Sequence, residues 1–404
     1  MINAEVATNN LVRASSGSTL KNGITREKWF FLSFYLLVFA QIFNTNKFVA
    51  ALKYTLVPTF LAFVLSILFF NKKRSGTSFK EYLPLFIVSI ITAISTLMSN
   101  VVSWTNPATA FYIYLILFIL MSWHRYDRLT IKSIFKFYTL LCVVISLSIC
   151  FNFVFKINYN FGRVSFNWLG VIKDQNIVAA FLSYGFFLSI SSFLFKKKYS
   201  GLLISFLILV SVFMLSSRGG LLTIVGSTFV LLIAFFLDKK IKGRKLIVLL
   251  ALLIIGGITL LVFMSSGMFD RVLNLENYKY DGRLDLWRAA FEAFTRNPLI
   301  GSGYDSGSYY SKAWYDSGSP THNSYLDILT SVGIIGSFFW LLFFVKMLVV
   351  KKENFLFVFS MTISLFLPLL FINGYGTLTF TVPLTVLFVT SRYCKCNSFK
   401  DLVI

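Results

Sequence analysis

The sequence predicts an all-α, polytopic integral membrane protein with about 12 transmembrane helices and a long outer loop containing an amphipathic helix. Three observations carry this. Of the 404 residues, 57% are hydrophobic and 18% aromatic. Apolar runs long enough to cross a bilayer, which needs about 20 residues per helix, recur along the whole chain. Lysines and arginines gather in alternate connections between those runs. Stretches such as LIVLLALLIIGGITLLVF lack the alternating polarity of barrel strands, which excludes an outer-membrane barrel.

Residues 1–27 are polar and have no apolar stretch close to the start, so they read as a cytoplasmic tail and not as a cleaved signal peptide. Nine spans make a first membrane domain, 28–268: 29–45, 48–70, 82–102, 107–123, 134–155, 177–195, 200–215, 220–237 and 246–268. An outer loop, 269–322, follows. Three further spans, 323–349, 354–373 and 376–391, make up 323–391, and residues 392–404 form a cytoplasmic C-terminal tail.

With the N-terminus inside, the inner segments collect Lys72, Lys73, Arg74, Lys80, Arg125, Arg128, Lys196 to Lys198, Lys239, Lys240, Lys351, Lys352, Arg392 and Lys395. The formal charge of +22 is therefore mostly a topology signal. A nucleic-acid partner would need a soluble basic domain, and the sequence has none. Cys142 and Cys150 fall in a span and Cys394 and Cys396 in the cytoplasmic tail, where thiols stay reduced. The prediction is no disulfide, no metal site and no cofactor.

Two outer loops are long, 156–176 and 269–322. In the second, Leu284, Trp287, Ala290, Phe291 and Phe294 recur at helical spacing, with Asp285, Arg288, Glu292 and Arg296 on the other side. Asp281 is the expected N-cap and Asn297-Pro298 the stop. Such a helix would lie along the membrane surface, bury its aromatic side and hold Arg283 in its first turn. Beyond it the pentapeptide YDSGS occurs twice, at Tyr304–Ser308 and Tyr315–Ser319. Its composition predicts a turn-rich loop, while tyrosines beside hydroxyls also suit sugars.

Arg218 sits in SSRGG, a short outer connection between two apolar runs. The positive-inside rule opposes an arginine there, and a guanidinium at the membrane boundary costs a few kcal/mol unless it meets water or an anion. The bland reading is an arginine snorkelling to headgroups. The two following glycines favour another: a ligand can approach the start of the next helix, whose amides attract anions, and a planar fork suits phosphate oxygens. Arg283 begins the surface helix. Arg288 is explained by an i,i+4 pair with Glu292, and Arg163 is a further outer arginine.

His322, followed by Asn323, ends the same loop. A lone histidine is usually structural, as His124 is expected to be. Near a basic cluster, however, an imidazole stays neutral, as a general base must. Arginines to hold a pyrophosphate and a histidine to deprotonate a hydroxyl are the two functions glycosyl transfer from a lipid pyrophosphate requires, with no metal needed. The outer acids show no telling glycosidase spacing. Few charges lie within the spans and the loop motif has no second copy, which weighs against a flippase or transporter.

The Arg-Gly after a mid-chain span, then GR with LW, NPLIGSGY, HNSYLDIL and GIIG, resemble the O-antigen ligase and O-antigen polymerase superfamily over about residues 215–340. FGRVSFNWLGVIKDQN is a looser match. The resemblance implies a metal-independent membrane glycosyltransferase of the bacterial inner membrane, with both termini cytoplasmic and a periplasmic active site. By position, Arg218 and Arg283 would engage the pyrophosphate and His322 would activate the acceptor, with Arg163 a weaker candidate; Arg288 and Asn323 are further, weaker candidates for the same site. The implied donor is an undecaprenyl-pyrophosphate-linked glycan. The acceptor is a lipid-linked repeat in a polymerase or a lipid A-core in a ligase, and a chain-length regulator is a candidate partner alongside membrane lipids. HNSYLDIL and GIIG lean towards the polymerase.

Overall fold

A computed structural model describes residues 27–41, 56–70, 78–99, 107–157, 159–160, 163–168, 171–238, 245, 257, 283–315, 321–372 and 377–403. The ninth predicted span, 246–268, lies outside these residues except at 257, as do Asp281 and all of the second YDSGS copy but Tyr315.

In hydrocarbon every backbone N–H and C=O must find a partner within the protein, and a single apolar run achieves this only as a helix. The described chain follows that rule. Helix α1 covers 27–41, followed by α2 (Leu56–Leu68), α3 (Phe79–Met98), α4 (Pro107–Trp123) and α5 (Arg128–Val154). Next come α6 (Gln175–Lys196), α7 (Tyr199–Met214) and α8 (Arg218–Leu237). The outer segment carries α9 (Arg283–Arg296) and α10 (Ser306–Tyr315). Then α11 (Ser324–Met347), α12 (Lys352–Phe366) with a 3₁₀ turn Leu367–Leu370, and α13 (Leu378–Cys396) complete the bundle.

Every predicted span other than 246–268 overlaps one of these helices. Six described segments are long and apolar enough to cross a membrane: α3, α5, α6, α8, α11 and Lys352–Leu370. Large apolar side chains such as Phe60, Leu97, Leu147, Leu203, Phe229 and Leu341 point outward. An apolar surface of that extent suits lipid rather than water.

The expectation of helices alone needs one correction. The first outer loop folds as two antiparallel hairpins, β1 (Tyr159–Asn160) with β2 (Arg163–Val164) and β3 (Phe166–Trp168) with β4 (Val171–Lys173). The strand residues are rich in β-branched and aromatic types, which suit a pleated, paired backbone.

Helix α6 is the centre of the bundle. It packs on α5, α7, α8 and α12, and Phe181 stacks on Tyr138 of α5 at 4.4 Å. It also carries several serines. An unbonded hydroxyl in this environment costs about 1–3 kcal/mol, so Ser183, Ser189 and Ser191 each donate to the carbonyl four residues back, at 2.7, 2.5 and 2.7 Å.

Helix α11 is broken at Gly333 (φ 64°, ψ −167°), and the segment after α9 fills the break. The Ile334 and Ile335 amides donate to the carbonyls of Pro298 and Leu299 at 2.9 and 3.1 Å. In return Ser302 N–H reaches Thr330 O at 2.7 Å and Gly303 N–H reaches Ser331 O at 3.3 Å. Irregular backbone at membrane depth persists where other protein backbone satisfies it. NPLIGSG and GIIG are thus two halves of one interlock. It docks the outer segment onto the bundle.

The two ends of the bundle differ in chemistry. At one end Lys395 pairs with Glu81 at 2.8 Å, Arg392 lies 3.7 Å from the same carboxylate, and Lys400 pairs with Asp238. Arg128 donates to Asp401 O at 3.1 Å. Phe399, Leu402 and Val403 are buried there, so the residues after α13 pack against the bundle rather than trail as a free tail. The first turns of α6, α8 and α11 lie at the opposite end.

Candidate functional site

At that opposite end the site begins with Arg218, the first residue of α8 and partly buried. Ser217 caps the helix: its Oγ accepts from Gly220 N–H at 3.2 Å and donates to Asn176 Oδ1 at 2.9 Å. Asn176 is the second residue of α6, which Asp174 caps by accepting from the Asn176 amide at 2.7 Å. The neighbouring Gln175 donates to Ser165 Oγ at 3.0 Å. The start of α8 is thereby tied, through the start of α6, to the loop that carries Arg163. Arg163 itself lies in β2, opposite Asn160.

The glycines after Arg218 do not serve the purpose expected of them. A Cβ on Gly219 would come within 2.6 Å of the Phe371 ring, and one on Gly220 within 2.6 Å of Ala179. Their missing side chains let α8 close against α6 and the end of the 3₁₀ turn, not against a ligand.

Beyond Phe371, the carbonyl of Ile372 accepts from Ser324 Oγ at 2.8 Å. Ser324 is the first residue of α11, two after His322. Asn323 caps α11, its Oδ1 accepting from Tyr325 and Leu326 amides at 3.0 and 3.2 Å. His322 is partly exposed, with φ 52°. A left-handed backbone in a non-glycine residue costs about 1–3 kcal/mol and concentrates at functional positions. Among the described residues five non-glycines have positive φ, and three of them, Ser216, Asp305 and His322, lie in this region.

The contacts then run to α9. Trp287 Nε1–H donates to Thr321 O at 3.1 Å, and Arg283, partly buried, is one turn earlier in the same helix. An unbroken series of neighbours therefore joins the loop of Arg163 to Arg218, Phe371, Ile372, His322, Thr321, Trp287 and the turn of Arg283.

Other expectations change. Arg288 faces out, 69% exposed, and lies 3.5 Å from Asp285 rather than pairing with Glu292. That contact is weak and worth well under about 1 kcal/mol. The side-chain oxygen of Asn323 is committed to capping. In α9 the face turned to α10 and α11 consists of Leu286, Ala289, Ala290 and Ala293, because small residues let the helices approach. Leu284 and Phe291 remain exposed, free to meet the membrane interface. The first YDSGS copy, expected as loop, leads into helix α10, which packs on α9 and α11. Arg296 lies over the rings of Tyr310 and Trp314 at 5.5 and 5.1 Å.

Asp305, at φ 63° beside α10, has its carboxyl pushed above the ordinary value by burial, against the lowering effect of the Ser308 hydroxyl, which donates to it at 2.7 Å. A raised folded-state value means that stability is full below the unfolded carboxylate range and falls as pH rises through the folded one. Asp305→Asn keeps the acceptor and tolerates the left-handed backbone. We expect it to raise the melting temperature at neutral pH, with the difference vanishing in acid; an equal gain at all pH values would refute the electrostatic cause.

These features define a class: a multi-pass helical membrane protein in which two arginine-bearing helix starts and a histidine-bearing turn lie towards one end of the bundle. Residues 203–341, a third of the chain, match the family model described as O-antigen ligase, in agreement with the O-antigen polymerase and ligase superfamily. The matched stretch contains Arg218, Arg283 and His322 and leaves out Arg163. It supports an activity of O-antigen ligase or polymerase type, hence a glycosyltransferase-like membrane enzyme, without dividing the two. No curated protein matches the chain.

Proposed function

We propose that this protein is an O-antigen polymerase of the bacterial inner membrane, with both termini in the cytoplasm and the site of Arg218, Arg283 and His322 on the periplasmic face. The donor is an undecaprenyl-pyrophosphate-linked glycan and the acceptor a hydroxyl of another lipid-linked repeat unit. Arg218 and Arg283 hold the pyrophosphate and offset the charge that develops as the glycosidic C–O bond breaks. His322 takes the proton of the attacking hydroxyl. The guanidinium groups supply the positive charge that a metal would otherwise provide.

The observation that carries this reading is the contact series linking the α8 start, the 321–324 turn and α9 at the end of the bundle opposite the basic tips. Basic tips favour the cytoplasmic side, which supports an outward-facing site. A second reading, transfer of finished glycan to lipid A-core, is favoured by the ligase description of the matched family.

The lipopolysaccharide ladder of a deletion strain separates them. Core bearing a single repeat means a lost polymerase; bare core with polymer accumulating on the carrier lipid means a lost ligase. An unchanged ladder would overturn both. Arg218→Lys is expected to cut turnover by roughly 10- to 100-fold, because an ammonium cannot make the bidentate phosphate contact. Normal turnover in that variant would refute the geometry assigned to Arg218.

A further inference from the structure

We propose that Asp327 is a positioning residue for His322, acting through the hydroxyl of Thr321. The inference rests on the reading of His322 as the proton acceptor. Asp327 sits in the first turn of α11 and is 6% exposed. An ionisable side chain at such a place in a membrane bundle is costly and commonly serves function. Its Oδ1 accepts from Thr321 Oγ1 at 2.6 Å, and the same hydroxyl oxygen accepts from the Asn323 amide at 3.1 Å. Together these bonds tie the residue before His322 to the residue after it and anchor both to α11. The turn so closed holds His322 at φ 52°, a conformation that relaxes once its ties are cut.

Two features argue against a general structural role. Capping of α11 belongs to Asn323, so Asp327 is not needed there. Its second oxygen, Oδ2, is buried with no hydrogen-bond partner among the described residues, which leaves Thr321 as its one directed side-chain contact. Helix α10 closes over this link at Gly307, where a Cβ would lie 2.9 Å from Thr321 Cγ2 and 3.3 Å from Asp327 Oδ1. The glycine of the first YDSGS copy is thus the space the link occupies.

The test uses the purified full-length chain in nanodiscs, with lipid-pyrophosphate-linked glycan as donor and lipid-linked repeat as acceptor. Asp327→Leu and Thr321→Val should each lower kcat roughly 10- to 100-fold, as misplacement of a reacting group does, with donor KM within about twofold because the arginines are untouched. Asp327→Asn and Thr321→Ser, which keep acceptor and donor, should restore most of the rate. The double variant Asp327→Leu/Thr321→Val should be no slower than Thr321→Val alone, since that substitution already removes the bond to Asp327 together with the hydroxyl's bonds to Asn323. Should Asp327→Leu fail to fold, Thr321→Val and its serine counterpart carry the same comparison. Wild-type kcat in the folded Leu or Val variants, failure of Asn to rescue, or multiplying losses in the double variant would overturn the proposal alone. Full activity of a parallel His322→Ala sample would remove the underlying reading and the proposal with it.

Discussion

Replacing His322 with alanine should abolish glycan assembly, with transfer falling roughly 10²- to 10⁴-fold, while the chain still accumulates in the membrane. The loss follows from chemistry rather than folding. A sugar hydroxyl is a poor nucleophile until its proton is removed as it attacks, and imidazole is the side chain suited to that near neutral pH. The turn around it is fixed by other groups: the Asn323 cap, the Thr321 bonds and the Ser324 contact with Ile372. Alanine fits a left-handed backbone poorly, so His322→Asn makes the cleaner comparison. Asparagine tolerates φ 52°, cannot take the proton, and should be equally inactive. Membrane abundance by immunoblot, set beside the lipopolysaccharide ladder, reads both quantities. A normal ladder from either variant would refute the role of His322.

The second large effect concerns the interlock. In Gly333→Ala the new Cβ would stand 2.4 Å from the carbonyl carbon and oxygen of Leu299, at φ 64° and ψ −167°, a conformation open in practice to glycine alone. Backbone strain and overpacking each cost about 1–3 kcal/mol, so a combined loss of about 3–5 kcal/mol is expected. The obstacle is backbone, which cannot swing aside as a side-chain tip would. The NPLIGSG segment should detach from α11, taking α9 and α10 with it. Thermal unfolding in detergent should show a marked drop, and Gly301→Ala should behave alike, its Cβ meeting Ser331 backbone at 2.4 Å. Gly226→Ala provides the contrast, because the nearest atom there is the Leu367 side-chain tip at 3.2 Å. Equal stability of Gly333→Ala and Gly226→Ala would contradict the interlock.

How much of this was legible in the sequence depended on where the determining contact lay. Among the described residues the spans were readable because lipid imposes one solution on a long apolar run, and the span starts expected at 220 and 323 fall within two residues of the helix starts at Arg218 and Ser324. Asn297-Pro298 likewise ends α9 as read. What required tertiary knowledge was hidden. The break at Gly333 sits in an ordinary apolar stretch, and its partner carbonyls, Pro298 and Leu299, come from another segment. Helix α10 is built from serine, glycine and tyrosine, weak helix formers that packing on α9 and α11 holds in place. The glycines after Arg218 looked like room for a ligand until Phe371, more than a hundred residues on, was seen to occupy the space. Asp327 could not be told from a polar residue near a span end, because its partner Thr321 matches no standard capping spacing. The acid and the histidine became related only through the turn between them.

The proposed site requires that Arg218, Arg283 and His322 open together onto the periplasmic side, where they meet a lipid pyrophosphate. The most direct test is cysteine accessibility: single cysteines at 218, 283 and 322 in a chain whose Cys142, Cys150, Cys394 and Cys396 are replaced, exposed to a membrane-impermeant maleimide in intact spheroplasts. All three should be labelled from outside and protected by added undecaprenyl-pyrophosphate-linked glycan. Labelling of any of the three only after the cytoplasm is opened would contradict the account.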